Sequence, residues 1–117
     1  MKDFLINTLE TLGFPVFLQG TFGDDPFPET FITFFTLGSN AAAEFDNETA
    51  LTAWQFQVTI YGNNPLTVES GAAAIRKTLK AAGFIPQGKG RDIPSEEPTY
   101  TGWTCEFYIL ESEGVTI

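Results

Sequence analysis

The side chains with the most evident chemical capacity are carboxylates. Asp24, Asp25, Asp46, Glu48, Glu96 and Glu97 fall in segments that read as loops, where paired carboxylates can hold a hard divalent cation or move a proton. Their spacing lacks the alternate ligands and central glycine of an EF-hand loop. Solvated loop charge is therefore the simpler reading, and a weak divalent-ion site the minor one. Gly88-Lys89-Gly90-Arg91 suggests a phosphate-cradling turn, but neither a P-loop nor a dinucleotide fingerprint is present and no helix is predicted after it, so a flexible loop fits better. Cys105 reads as a small hydrophobe on a strand, because a nucleophilic thiolate needs a base beside it. The chain has no His. That excludes Ser–His–Asp and Cys–His catalysis and His-containing zinc sites. No residue stands out as catalytic, cofactor-binding or a committed metal ligand.

Charge carries more information than any of these groups. The 117 residues hold 15 acidic and 6 basic side chains, a formal net charge of −9. Five of the 6 cations, Arg76, Lys77, Lys80, Lys89 and Arg91, lie within residues 76–91, a stretch with no acid. Such polarity is either a plain solvated face or a patch for head-to-tail self-association, in which a positive surface on one subunit meets a negative one on the next. The same acidity argues against a dedicated nucleic-acid binder. With 43% hydrophobic and 15% aromatic residues, the composition is that of a folded domain, and the length suits one domain over residues 1–117. A single cysteine rules out an internal disulfide and fits an intracellular setting. The N-terminal residues lack the apolar run of a signal peptide, and no segment reaches the ~18 apolar residues of a membrane span. A soluble, unprocessed chain with no membrane contact is expected.

These groups must be positioned by a small set of elements. Leu5, Leu9 and Leu12 at i, i+4, i+7 predict a helix over residues 3–12, with Asp3 as its N-cap and Gly13 as its stop. Phe14–Leu18 reads as an edge strand because of Pro15. Glu29–Leu37 and Ala53–Tyr61 read as strands, the second from the alternation of Trp54, Phe56, Val58 and Ile60 with Gln55, Gln57, Thr59 and Tyr61. Gly20–Pro28, Gly38–Asn47 and Pro86–Pro98 read as loops. Asn64 caps a helix that starts at Pro65 and stops at Gly83, and Thr99–Glu111 is the closing strand. Trp54 and Trp103 fall on apolar strand faces and read as core anchors, while the face carrying Gln55, Gln57 and Thr59 should meet water or a wet interface. Thr8–Phe14 echoes Thr78–Phe84, which is accounted for by shared helix-stop chemistry. Strands, then a helix, then more strands imply an α+β fold: a mainly antiparallel sheet with two helices packed on one face, a two-layer sandwich.

The order of these features resembles a known family. A short N-terminal helix is followed by a Pro-rich loop and the strand Pro28-Glu29-Thr30-Phe31-Ile32-Thr33-Phe34. Next come the aromatic alternating strand Trp54–Tyr61, a helix ending Leu79-Lys80-Ala81-Ala82-Gly83-Phe84, a long loop, and a strand opening Tyr100-Thr101-Gly102-Trp103. Over nearly the whole chain this pattern resembles the tail terminator or tail-completion (tail-to-head joining) proteins of long-tailed bacteriophages. The resemblance implies a non-enzymatic structural protein of a phage or prophage, an α+β subunit of a hexameric ring. That ring would cap the tail tube and join the tail to the neck or head connector, with assembly in the host cytoplasm and residence in the virion. Its partners would be further copies of itself, the tail-tube protein and a connector protein, and DNA would pass through the pore without specific binding. The family supplies no catalytic residues, cofactor or metal ligands to carry over. The subunit-interface assignment of Arg76, Lys77, Lys80, Lys89 and Arg91 rests on the charge pattern of this sequence alone. Two other readings stay open: another neck, connector or tail-tube component, and a metal-binding enzyme that uses the loop carboxylates Asp24, Asp25 and Asp46.

Overall fold

The alternation at residues 54–61 lies on the central strand of a six-stranded sheet. A computed structural model of the chain describes residues 1–19, 28–45, 48–95 and 97–112, and for residues 41–45, 48–50 and 112 the backbone alone. The elements are α1 (Lys2–Glu10), β1 (Val16–Leu18), β2 (Thr30–Phe45), β3 (Glu48–Gly62), α2 (Pro65–Ala81), β4 (Ile85–Pro86), β5 (Arg91–Ile93) and β6 (Thr101–Ser112). The sheet order is β1-β2-β3-β6-β4, with β5 also on β6. Among the described residues only the β1–β2 pair is parallel. Both helices contribute to one core on one face of the sheet, so the expected α+β two-layer architecture is the observed one.

That core follows from the two periodicities. Leu5 and Leu9 of α1 and Val68, Ile75 and Leu79 of α2 meet Ile32 and Phe34 of β2, Phe56, Val58 and Ile60 of β3, and Cys105, Phe107 and Ile109 of β6. Phe84, fully buried just after α2, completes it. Burying four Phe rings and a row of branched side chains removes enough apolar surface to hold the layers together without staples. Asn64 caps α2 as its position predicts, its side chain accepting a hydrogen bond from the Leu66 amide at 3.0 Å. Gly13 and Gly83 both take positive φ, +86° and +102°, which accounts for the repeated helix-stop sequence. At α1 the expectation needs correction. The helix starts at Lys2, Met1 occupies the cap position with no side-chain bond, and Asp3 lies in the first turn, where the helix dipole favours a carboxylate. Pro15 directly precedes β1, which is an edge strand as a proline there requires.

Two segments expected as loops are strand. Most of Gly38–Asn47 belongs to the long β2–β3 hairpin, which pairs as far as Phe45 with Glu48. Gly38, Ser39 and Asn40 are poor strand formers. Pairing with β3 overrides that preference, and register shifts after Thr36, Ala41 and Ala43 absorb the misfit. Within Pro86–Pro98, β4 ends at Pro86 and β5 covers Arg91–Ile93, both paired with β6. They are too short to leave a periodic signal, and their partner strand is what makes them extended.

The helix-free face is also more closed than its polar residues imply. Thr33, Thr59 and Thr104 are 4%, 2% and 0% exposed. The Thr59 hydroxyl donates to Thr104 Oγ1 at 2.9 Å, and Thr104 Oγ1 lies 3.4 Å from the Val58 carbonyl. Beside them Phe31 sits among Phe17, Tyr61 and Tyr100, with ring centroids 5.4–6.4 Å apart, and the Tyr100 hydroxyl donates to the Pro28 carbonyl at 2.8 Å. Aromatic side chains at alternate positions of neighbouring strands thus build a second, smaller cluster where water contact was expected.

Candidate functional site

Arg76 lies on the side of α2 that faces β5 and β6. Pro65, Glu69, Ala72 and Arg76 recur at i, i+4, i+7 and i+11, so they form one stripe along the helix. The adjacent Ala72 and Ala73 leave space beside that stripe. Across the gap stand Thr101, Gly102 and Trp103 of β6, Asp92 of β5, and Lys89. Together they enclose a cleft of about 480 Å³, within the ~300–1,000 Å³ range of sites that take a small ligand or a few side chains. The inner surface is mainly apolar, from Val68, the alanines and Trp103. Arg76 is half-buried in its wall, and its Nε is buried with no hydrogen-bond partner among the described residues.

The Gly88–Arg91 segment is the other wall, and it is structured. Gly88 and Gly90 have φ of +89° and +92°. The Gln87 amide donates to the Glu106 carbonyl at 2.8 Å, and the Trp103 indole N–H donates to the Lys89 carbonyl at 3.2 Å. The expected flexible loop is therefore an arch between β4 and β5, pinned over Trp103 and Cys105. A glycine-rich sequence signals turning capacity but not what the turn rests on.

The five cations divide among three places. Arg76 and Lys89 line the cleft. Lys80 continues the Arg76 stripe one turn on, and Lys77 is exposed on α2. Arg91 pairs in register with Thr104, while Asp92 pairs with Trp103, so Arg91 belongs to the helix-free side of the sheet. None of the five lies within 4.0 Å of a carboxylate among the described residues. The ion pair found there joins the N-terminal ammonium to Glu111 at 3.6 Å.

Cys105 packs as expected between Trp103 and Phe107 on the inner face of β6. Burial raises its thiol above the ordinary value of 9.0, against an opposing pull from Arg76. The thiol stays protonated at neutral pH, which leaves no thiolate nucleophile. Trp54 and Trp103 are half-buried against the core, and each spends its indole N–H inside the fold, Trp54 on Glu111 Oε1 at 3.0 Å. Asp24, Asp25, Asp46 and Glu96 lie outside the described residues. Glu48 begins β3, and the Glu97 amide donates to Ser95 Oγ at 3.2 Å. Among the described residues no three acidic or cysteine side chains converge on a metal-sized site.

Sequence reasoning singled out Arg76 and Lys89 but missed the cleft between them, along with Glu69, Asp92 and the alanines. The available signal was the stripe from Pro65 to Arg76 with small residues beside its cation. What was missing was the knowledge that β5 exists to face it. The sequence matches no protein-family model, and no curated protein matches it.

Proposed function

We propose that this chain is a structural subunit of a bacteriophage or prophage tail, which associates head to tail into a ring, caps the tail tube and joins it to the head connector. The observation that supports it best is the segregation of charge. Five cations within residues 76–91 have no carboxylate partner among the described residues, and the rest of the chain carries 15 acids against one base. The four of them on α2 and at the cleft, Arg76, Lys77, Lys80 and Lys89, would be satisfied by an acidic surface on another subunit. Because the two surfaces differ, the contact is heterologous and closes into a ring when its rotation permits. The acidic excess also suits a channel through which DNA passes without binding. No described helix is long and apolar enough to cross a membrane. On this reading the protein resides in the virion and has no catalytic step.

The test is particle mass by size-exclusion chromatography with light scattering, over a range of protein concentration and salt, with negative-stain microscopy of any large species. Closed rings with an open centre are expected, formed alone or on added tail tubes. Reversing Arg76, Lys77 and Lys80 to Glu should abolish them while leaving the circular dichroism spectrum of the monomer unchanged. Long tubes would instead identify a tail-tube subunit. A chain that stays monomeric with and without tail tubes would overturn the ring.

A further inference from the structure

The Arg76 cleft is graded along its length. Gly62, just before α2, pairs with Thr101, and Ile85, just after it, pairs with Tyr108, so α2 runs beside β6 from the Thr101 end toward the Tyr108 end. Glu69 therefore stands at the Thr101 end of the cleft. Arg76, seven residues on, lies about 10 Å further along at a rise of ~1.5 Å per residue. Asp92 is level with Trp103, and Lys89 precedes it on the arch whose Gly88 carbonyl lies 3.8 Å from Cys105 Sγ. The two cations thus share the end beside Cys105, and Val68, Ala72 and Trp103 supply the apolar stretch between them and Glu69.

We propose that this cleft binds a small aromatic carboxylate, its ring packed against Trp103 and the α2 alanines and its carboxylate on the Arg76 guanidinium. Arg76 is half-buried, its Nε is shut off from water with no hydrogen-bond partner among the described residues, and no described carboxylate lies within 4.0 Å of it. A guanidinium that has lost part of its hydration gains more from an anion than an exposed lysine does. Trp103 is a fixed wall, because its indole N–H is held by the Lys89 carbonyl at 3.2 Å, and Ala72 and Ala73 leave the space opposite it open. A volume of about 480 Å³ with an apolar interior and one charged group at its end suits a small organic anion. Glu69 and Asp92 disfavour a second negative group further along, so the class is a monoanion and not a dianion or polyanion. The site goes beyond the head-to-tail reading and does not depend on it, since Lys77 and Lys80 lie on α2 outside the cleft lining.

The probe is cinnamate, titrated into isotope-labelled protein and followed on the indole N–H resonances of Trp103 and Trp54. Trp103 is level with Ile60 on β3, and Trp54 lies six residues away along that strand, about 20 Å at ~3.3 Å per residue, so it serves as the internal reference. A saturable shift of Trp103 with Trp54 unmoved is expected. Arg76→Met, which keeps the side-chain bulk, should weaken binding about tenfold or more, the loss of a charge-assisted hydrogen bond. Cinnamyl alcohol, which lacks the charge, should bind the wild type as weakly. Para-carboxycinnamate, with a second carboxylate at the far end of its ring, should also bind less tightly than cinnamate. Ala73→Leu, on the exposed rim of the cleft, should fold as the wild type does by circular dichroism and no longer bind. Lys77→Glu with Lys80→Glu, which disfavours the head-to-tail contact but leaves the cleft lining intact, should bind cinnamate as the wild type does. No saturable shift of Trp103, or an equal shift of both indoles, would overturn the site. Unchanged affinity in Arg76→Met, or inorganic phosphate or para-carboxycinnamate binding as tightly as cinnamate, would overturn the ligand class.

Discussion

At Gly90 an added Cβ would collide with the Trp103 indole nitrogen and come within 2.6 Å of the Thr104 carbonyl oxygen, and the backbone φ is +92°. Gly88, two residues earlier, has nearly the same φ of +89° but nothing within 4 Å of its Cβ position. The pair therefore separates backbone strain from steric conflict. Gly88→Ala should cost about 1 kcal/mol, the penalty of a left-handed conformation for a residue with a side chain. Gly90→Ala should cost about 3 kcal/mol or more, because it adds overpacking against a strand backbone that cannot give way. Urea unfolding of the two variants measures both. Equal costs would mean that the arch does not press on β6, and the wall it gives the cleft would not be fixed.

At the scale of elements, the buried Thr59–Thr104 bond ties β3 to β6 on the helix-free face. Thr104→Val removes one hydroxyl and strands the other in a buried position, which should cost about 1–3 kcal/mol. The double variant Thr59→Val, Thr104→Val leaves no stranded group and should cost less than the single one. A double-mutant cycle on unfolding free energies reads the coupling, and simple additivity would show that the pair does not bond. The same face shows where sequence pattern stops informing. Period two assigned Thr59 correctly to the face opposite Phe56, and the two helices, their stops and the central strand follow from periodicity and capping. Burial of that second face depends on Phe17, Phe31, Tyr61 and Tyr100 meeting across the sheet, and no local window holds that information. The Gly38–Phe45 stretch of β2 and the two-residue β4 are strands by virtue of their partners, against or without any propensity of their own. For the candidate site, charge clustering found Arg76 and Lys89, but it grouped them with Arg91, which register places on the other side of the sheet.

On the scale of the whole molecule, the proposed head-to-tail association joins a basic surface to an acidic one, so it would be largely electrostatic. Its strength must then follow the screening length. Raising sodium chloride from 0.1 to 1 M shortens the Debye length from about 10 Å to about 3 Å, which weakens attraction between an acidic surface and exposed lysines while leaving apolar contacts in place. The concentration for half-assembly should rise at least tenfold over that range. The triple variant with Arg76, Lys77 and Lys80 reversed to Glu should show no such attraction to screen, and salt should leave its residual association unchanged or strengthen it. Light scattering at a series of salt concentrations measures both slopes. Wild-type assembly that is indifferent to salt, or tighter in 1 M, would assign the association to the exposed apolar side chains Leu37, Ile85 and Leu110 instead, and the segregated charge would then be a solvated surface without a role in joining subunits.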